Sequence, residues 1–427
     1  MASLPERMNY PESSSESSAE RRPSVFGRRD FRLFLVAMFL SSLGFAAQSV
    51  AVSWQIYDIA RNPMALGYAG LAQFVPMAAF ALPGGDLADR FDRRTLLAAG
   101  SILQASCAGA LLVLAYAHYR VIAPYYVVLA ILGTARAFVQ PASQAFLPLM
   151  VAQEQFPEAV AWTSSARQIA TIAGPALGGL LYVFGPVAAY AMCLAMFAAA
   201  AIAFAAIHTR SISQAPLPGQ SPFARLTAGI QFVRSRPVIL GAISLDLFAV
   251  LLGGATALLP IYARDILHVG PAGLGLLRGA PALGAALMGL GLVRIPPRRG
   301  AGMIMFACVA IFGVATIVFG LSANFTLSLG ALTILGASDM VSVYVRQTVT
   351  QLATPDAKRG RVSAVNFLFI GTSNELGEFE SGATAAWFGT IASVVIGGIG
   401  TLAVVGLWMW LFPSLRKVDD LSALTPE

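Results

Sequence analysis

The chain has 427 residues, of which 57% are hydrophobic and 11% are charged, and its formal net charge is +7. Soluble globular proteins carry about 25% charged residues, so this composition excludes a water-soluble globular protein. The excess of positive charge does not indicate nucleic-acid binding, because the arginines and lysines are divided among many short segments and form no single patch along the chain.

Apolar runs that are long enough to cross a bilayer, which takes about 20 residues, return along the whole chain. Residues 1–32 are rich in serine, glutamate and arginine and contain no such run. They are expected to form a disordered cytoplasmic tail rather than a signal peptide. Twelve membrane spans are predicted, at residues 33–57, 66–87, 96–117, 122–147, 159–184, 186–207, 238–262, 272–293, 301–321, 325–347, 362–387 and 391–412.

The longest gap between predicted spans, residues 208–237, separates six spans from six. It predicts an N-terminal bundle at 33–207, a cytoplasmic linker at 208–237, a C-terminal bundle at 238–412 and a cytoplasmic tail at 413–427. The predicted fold class is therefore an all-α membrane protein with twelve transmembrane helices in two pseudo-symmetric six-helix bundles.

An internal repeat supports this division into halves. Arg136 of the first half is matched by Asp339 of the second, 203 positions later. Other residues that return at this spacing include the pairs Gly133 and Gly336, Gln144 and Gln347, Gly174 and Gly377, and Gly179 and Gly382. A spacing this long lies far outside the periods of solenoid repeats. Duplicated halves in an apolar chain are typical of membrane transporters, which place one site at the interface of the halves.

The distribution of basic residues predicts the orientation of the chain. If the N-terminus is cytoplasmic, only Arg61, Arg120 and Arg264 fall in the segments on the other side, whereas the cytoplasmic segments hold most of the remaining basic residues. Cytoplasmic loops of membrane proteins carry an excess of lysine and arginine. The sequence thus predicts a multi-pass protein of the cytoplasmic (inner) membrane with both termini in the cytoplasm.

The segment between predicted spans two and three, residues 85–94, reads Gly-Asp-Leu-Ala-Asp-Arg-Phe-Asp-Arg-Arg. It resembles the signature loop of the major facilitator superfamily, with Asp92 where that pattern usually has glycine. The resemblance covers about residues 33–416 and implies the twelve-helix fold of that superfamily. It also implies that the loop stabilises one state of a gate. The alternative for its arginines is that they only mark the cytoplasmic side of the membrane, as basic residues of such loops generally do. The gating residues that it implies are Gly85, Asp89, Arg90, Arg93 and Arg94.

Predicted span five contains a second motif, Gly174-Pro175-Ala176-Leu177-Gly178-Gly179. It resembles the Gly-Pro-x-x-Gly-Gly motif of drug and proton antiporters in the same superfamily. Small residues let helices approach closely, and the proline removes a backbone hydrogen bond, so close helix packing alone is the alternative explanation. Residues 374–382 are similar to the branch of the superfamily that contains the enterobactin exporter and related secretion carriers.

Ionisable residues at bilayer depth cost several kcal/mol each, so each one is a functional candidate. The candidates in the predicted spans, apart from Asp86 of the signature loop, are Arg136, Arg167, Asp246, Arg278, Asp339, Arg346, Glu375, Glu378 and Glu380. The resemblance implies that Arg136 and Asp339 face a central cavity. The hypothesis is that Asp339, with Asp246, binds and releases a proton, and that Arg136 tunes this step or contacts an anionic substrate. A permanent salt bridge between Arg136 and Asp339 is the alternative.

The three glutamates of predicted span eleven form a separate set of candidates. Glu375 and Glu378 are three residues apart and share a helix face, whereas Glu380 points away from Glu375. At least one of the three is expected to be protonated or paired with a group of another span. They can bond to span two at the interface of the halves or carry the coupling proton, and the sequence does not decide between these roles.

The predicted function is export of a small amphiphilic molecule, such as a drug, a siderophore-like compound or a secreted metabolite, by alternating access and proton antiport. The expected partners are that substrate, protons and the lipid bilayer, with no nucleic acid and a monomeric chain. No cofactor, metal site or enzymatic activity is predicted, because the three histidines share no ligand spacing and no phosphate-binding loop is present. The alternatives are an importer or lipid flippase of the same fold, and a membrane scaffold that does not transport.

Overall fold

The structure is a computed structural model that describes residues 24–210, 222–295, 297 and 299–419. The side chains of residues 81–90, 222–226, 356, 357, 364, 367 and 368 are not described. Most of the predicted N-terminal tail, the middle of the predicted linker and the end of the predicted C-terminal tail therefore lie outside the described residues. So do the side chains of Asp89 and Arg90 in the predicted gating loop.

Helices fill nearly all of the described ranges, which contain no β-strand. We number the twelve long helices α1 to α12. Their bounds are Arg29–Ala60, Pro63–Arg90, Arg93–Tyr116, Ala123–Met150, Phe156–Val183, Pro186–Ala205, Pro237–Ile266, Gly270–Arg294, Ala301–Leu321, Phe325–Leu352, Asp356–Phe388 and Thr390–Leu411. A shorter helix between α6 and α7, Pro222–Ser235, is called the linker helix.

Nine of these helices are long and apolar enough to cross a membrane by length and composition, counted over the part of the chain that the structure describes. Helices α2, α5 and α11 are not among these nine, and the side chains of the last ten residues of α2 lie outside the described part of the chain. Helix α11 carries three glutamates in its second half, which lowers its hydropathy. That α2, α5 and α11 also cross the membrane stays a prediction, which their packing among the other helices favours.

Helix α7 is interrupted, although the sequence predicted one continuous span. Its regular part ends at Leu252 and is followed by Gly253 and Gly254, which are poor helix formers. The chain continues as a 3-10 turn, Ala255–Leu258, and as a wide π-helical turn, Tyr262–Ile266. The second part of α7 is therefore a separate short segment, which the uninterrupted apolar run did not reveal.

The helices form two sets with the same internal contacts. In the first set α1 packs on α5 and α6, α2 packs on α4, and α3 packs on α4 and α6. In the second set α7 packs on α11 and α12, α8 packs on α10, and α9 packs on α10 and α12. The main contacts between the sets are α2 with α11 and α5 with α8. Adding six to the number of each helix in the first set gives the contacts of the second set, as expected for two homologous halves.

The repeated glycines lie at matching helix crossings in the two halves. A Cβ atom on Gly133 of α4 would collide with the carbonyl oxygen of Gln73 on α2. The equivalent Gly336 of α10 meets the carbonyl oxygen of Pro281 on α8 in the same way. The repeat therefore preserves glycine where two backbones come into contact, and the internal sequence repeat reflects a structural one.

The two ends of the helical bundle differ in the contacts that they hold. One end, here called the terminal face, holds the start of α1 and the end of α4, where Nη1 of Arg28 donates to the carbonyl oxygen of Met150 at 3.1 Å. The other end, here called the opposite face, holds the ends of α1 and α7, where the hydroxyl of Tyr57 donates to Asp265. The depth of a site residue is its position along the bundle between these two faces.

Candidate functional site

A cavity of about 560 Å³ lies between the two halves. Its walls come from α1, α3, α4, α5 and α6 of the first half and from α7 and α8 of the second. Leu97 and Phe204, near the terminal-face ends of α3 and α6, belong to its lining, and so do Ser49 and Thr256 near the middle of the bundle. The cavity therefore runs from the middle of the protein toward the terminal face.

Three arginines line this cavity, and its described lining residues include no aspartate or glutamate. Arg136 comes from α4, Arg167 from α5 and Arg278 from α8. The guanidinium carbon of Arg136 lies 4.4 Å from the ring centre of Phe45, in the position of a cation–π contact. Nη1 of Arg278 donates to the hydroxyl of Ser53 on α1 at 3.1 Å, across the interface of the halves.

Two glutamates of α11 lie next to these arginines. Arg136 interacts electrostatically with Glu375 and Glu378, and Glu375 also interacts with Arg278. A Cβ atom on Gly70 of α2 would lie 3.1 Å from Oε2 of Glu378, which places this carboxylate at the α2–α11 contact. The charged groups at mid-depth thus form one cluster that joins helices of both halves.

Glu380 does not belong to this cluster. Its carboxylate accepts a hydrogen bond at 2.7 Å from the hydroxyl of Thr384, one turn further along α11. The prediction that it points away from Glu375 agrees with this contact. Glu380 is thereby satisfied by its own helix, which leaves Glu375 and Glu378 as the glutamates that face cations.

The two aspartates of the proton hypothesis have different surroundings. Asp246 of α7 forms an ion pair with Arg346 of α10, and their side chains are only 9% and 3% exposed. Asp339 is half-buried, and no described residue gives its carboxylate a hydrogen bond or an ion pair. Arg136 does not pair with Asp339, because Arg136 is turned toward Phe45 and α11. Arg136 and Asp339 therefore occupy matching positions in the two repeats but do not contact each other across the cavity.

The described part of the predicted gating loop joins helix ends at the terminal face. Nη1 of Arg93 donates to the carbonyl oxygen of Ala145 at 2.9 Å, and Arg94 donates to the carbonyl oxygen of Ala205. Asp92, which departs from the superfamily pattern, caps α3 by accepting from the backbone N–H of Arg94 at 3.3 Å. The backbone φ of Asp92 is −60°, so this turn does not require glycine. A gating role for this loop stays a prediction.

The glycines of the motif in α5 lie against two different helices. Gly174 and Gly178 contact α1, where a Cβ on Gly174 would lie 3.1 Å from the carbonyl oxygen of Leu43. Gly179 contacts Gly275 of α8 in the other half, and Pro175 lines the cavity. The motif therefore packs α5 within its own half and also forms part of the contact that closes the opposite face.

Sequence reasoning missed a charge cluster at the opposite face. Arg264 forms an ion pair with Asp58, and Nη1 of Arg61 lies 3.8 Å from Oδ1 of Asp265. The hydroxyl of Tyr57 also donates to Asp265. We call these five residues of α1, the α1–α2 turn and α7 the opposite-face latch. The sequence contained an indication of this cluster, because Arg61 and Arg264 are 203 positions apart, which is the spacing of the internal repeat.

Comparisons with known proteins agree with this architecture. The family model described as transmembrane secretion effector matches residues 24–426. The enterobactin exporter EntS of Citrobacter koseri is 27% identical over 400 residues, which cover 91% of this chain and 92% of that protein. EntS of Escherichia coli is 26% identical over the same shares of the two chains.

Solved structures show the same fold at low sequence identity. A bacterial homolog of the human lysosomal transporter Spinster, in an inward-facing and unoccupied conformation, aligns with a TM-score of 0.69 at 13% identity and covers 91% of this chain and 96% of its own. A POT family transporter in complex with 5-aminolevulinic acid aligns with a TM-score of 0.72 at 9% identity, over 91% and 97% of the two chains.

The match over nearly the whole chain confirms the superfamily that residues 85–94 indicated, and the branch that residues 374–382 indicated. It also agrees with the two sets of helices around one cavity. The chain therefore belongs to the transmembrane secretion effector family and is a membrane transporter of the major facilitator superfamily.

Proposed function

We propose that this protein exports a small amphiphilic molecule across the cytoplasmic membrane by alternating access, in exchange for protons. The observation that carries the proposal is the cavity between the halves, which holds ionisable groups at mid-depth and is closed at the opposite face. Transporters with homologous halves bind their cargo at such an interface and move one half against the other. The exporter relatives at 26–27% identity support the direction of transport.

The basic residues at the terminal face support the proposed orientation in the membrane. Arg28, Arg93, Arg94 and the segment around Lys358 lie on this side of the described chain. Because cytoplasmic segments are enriched in arginine and lysine, these residues support a cytoplasmic terminal face, with both chain ends on that side. The cavity then opens toward the cytoplasm, where an exporter takes up its cargo.

The contacts at the opposite face suit a closure that reverses in each cycle. The α2–α11 and α5–α8 contacts are made by small residues, such as Gly67 with Gly382 and Gly179 with Gly275. The latch residues are partly exposed, with 23% of the Arg264 side chain and 37% of the Asp58 side chain accessible. Exposed ion pairs contribute little net stability, so this face can open at a low cost in free energy.

Proton exchange is assigned to Asp339 and to Glu375. Asp339 lies at mid-depth without a hydrogen-bond or ion-pair partner among the described residues, and Glu375 faces Arg136 and Arg278 from the two halves. A carboxylate gains or loses proton affinity when nearby cations move relative to it, and moving the halves changes these separations. Asp246 is less suited to this role, because it is held in a buried ion pair with Arg346.

Reconstituted transport under an imposed pH gradient tests the proposal. If one proton is exchanged per cargo molecule, a gradient of about 2 pH units supports up to about 100-fold accumulation of a cargo dye in inside-out vesicles. Asp339→Asn or Glu375→Gln is expected to lose this accumulation, while exchange of cargo for cargo without a gradient continues. The exposed Glu158 of α5 provides the matched control, and Glu158→Gln is expected to behave like the wild type.

Three results of this experiment would contradict the proposal. Accumulation in right-side-out vesicles only would show an importer, and movement of labelled phospholipid alone would show a flippase. The absence of flux for every compound in a panel of amphiphiles would favour a scaffold. Full gradient-driven accumulation in both the Asp339→Asn and Glu375→Gln variants would contradict the proton assignment but not export itself.

A further inference from the structure

We infer that the cargo carries an anionic group, which Arg136 and Arg278 bind at the inner end of the cavity. The inference rests on the proposed function, since it concerns the compound that the exporter carries. It assigns to the cavity a chemical class of ligand: a small amphiphile with a carboxylate, sulfonate, phosphate or other acidic group joined to an aromatic or aliphatic body.

The first support is the charge of the cavity wall. Arg136, Arg167 and Arg278 come from three helices, and no described acidic residue lines the same space. Glu375 and Glu378 lie beside the cluster and interact with these arginines, but they do not belong to the described lining. Cations at bilayer depth are costly, and they are retained where they serve a ligand or an ion pathway. The space itself is therefore electropositive.

The second support is the unused hydrogen-bonding capacity of the two inner arginines. A guanidinium carries five N–H donors in a planar fork that matches an acidic group in two places. The described residues accept one hydrogen bond from Arg278, through the hydroxyl of Ser53, and none from Arg136, whose guanidinium lies over Phe45. Several donors therefore remain available to a ligand in the cavity.

The third support is the character of the remaining wall. Phe45, Met38 and Val139 give it an apolar part, and Ser42, Gln140 and Ser143 give it hydroxyl and amide groups. An aromatic ring can pack against Phe45 while an attached acidic group reaches Arg136 on the same side. This combination of one apolar surface and nearby cations selects an amphiphile with a negative charge over a neutral or cationic one.

The positions of the two arginines also connect binding to transport. Arg136 belongs to α4 of the first half and Arg278 to α8 of the second. An anion held by both bridges the halves, so its affinity depends on how the halves are arranged. Movement of one half separates the two guanidiniums and weakens the site, which provides a physical route to release on the other side of the membrane.

The test uses two dyes that differ by one acidic group, anilinonaphthalene sulfonate and uncharged phenylnaphthylamine. Binding to the purified full-length protein in neutral detergent is measured by quenching of tryptophan fluorescence. A hydrogen bond to a charged group contributes about 1.5–3 kcal/mol, so the sulfonated dye is expected to bind about 10-fold to 100-fold more tightly than the neutral dye. Arg136→Gln and Arg278→Gln are each expected to remove most of this difference.

The control variants separate loss of charge from loss of fold. Arg278→Lys keeps the positive charge and is expected to keep part of the preference for the sulfonated dye. Arg120→Gln removes an exposed arginine outside the cavity lining and is expected to change nothing. Unchanged binding of the neutral dye by the Arg136→Gln and Arg278→Gln variants shows that the cavity is intact.

Equal affinity of the wild type for the two dyes would overturn the inference, and so would a preference that survives in both glutamine variants. The same dyes in the vesicle assay keep the two proposals apart. Equal export of both dyes would leave the proposed function standing and remove the anionic requirement. The absence of export of every tested compound would instead contradict the proposed function.

Discussion

Replacement of Gly179 by valine is expected to abolish transport while leaving the two halves folded. Gly179 lies where α5 meets α8 of the other half, and a Cβ atom there would lie 3.0 Å from the Cα of Gly275. It would also collide with the carbonyl oxygen of Pro271. Both obstacles are backbone atoms, which cannot turn away as a flexible side chain can, so the opposite face cannot close around valine.

The size of the effect follows from the overlap. Overpacking costs about 1–3 kcal/mol, and more where backbone must move. Because 1.4 kcal/mol is a factor of ten in an equilibrium constant, the ratio of molecules closed to molecules open at the opposite face is expected to fall about 10-fold or more. Fewer molecules then close at that face and return to collect cargo from the terminal face.

Two measurements check this prediction in the same preparation. Flux in vesicles is expected to be lost, and a cysteine introduced at the cavity residue Ser49 is expected to react faster with an impermeant thiol reagent applied at the opposite face. Gly330→Val provides the matched control, because no atom lies within 4 Å of a Cβ at Gly330. Wild-type flux in a well-folded Gly179→Val protein would contradict a closed contact between α5 and α8 at the opposite face.

Replacement of Asp246 by asparagine is expected to lower the free energy of unfolding by about 3–5 kcal/mol, because it leaves the buried charge of Arg346 without its partner. Nη1 of Arg346 lies against Oδ2 of Asp246, and Nε of Arg346 has no hydrogen-bond acceptor among the described residues. The described residues around Nε and Nη1 therefore offer no hydrogen-bond acceptor that replaces the lost carboxylate.

Unfolding of the detergent-solubilised protein measures this loss. Removing both charges in the double variant Asp246→Leu, Arg346→Met is expected to recover most of the stability, because apolar side chains of similar volume replace a buried ion pair at little cost. A stability loss below about 1 kcal/mol, together with loss of proton-driven flux, would contradict the structural role and would return Asp246 to the proton pathway.

The arrangement of the helices was largely accessible from the sequence. An apolar run is a direct consequence of the bilayer, so the predicted spans fall on the twelve long helices. The helices extend beyond those runs, as α11 does by starting at Asp356, because a helix continues into the polar region where its charged residues are solvated. The break of α7 was missed, since Gly253 and Gly254 interrupt the helix without interrupting the apolar run.

The candidate site was accessible only in part. Charge at bilayer depth marked Arg136, Arg278 and Glu375 without any structure, because such residues are rare in spans. The partner of each charge was not accessible, since it depends on the direction of side chains on helices that are distant in sequence. The ion pair of Asp246 with Arg346 was not foreseen for this reason.

The central claim is that the two halves move apart at one face while they come together at the other. Distances between pairs of spin labels at the two faces measure this movement directly. In a background without native cysteines, one label pair at the exposed residues Ala117 and Ala323 reports the opposite face. A second pair at the exposed residues Ser165 and Ser363 reports the terminal face. The variant Arg264→Glu is used to disturb the latch, because it places a negative charge beside Asp58.

We expect Arg264→Glu to lengthen the distance between the opposite-face labels and to shorten the distance between the terminal-face labels in the same molecules. Exchange of the two charges in the variant Asp58→Arg, Arg264→Glu is expected to restore both distances toward those of the wild type. A longer opposite-face distance with an unchanged terminal-face distance would show local fraying of helix ends, and it would contradict alternating access by movement of the two halves.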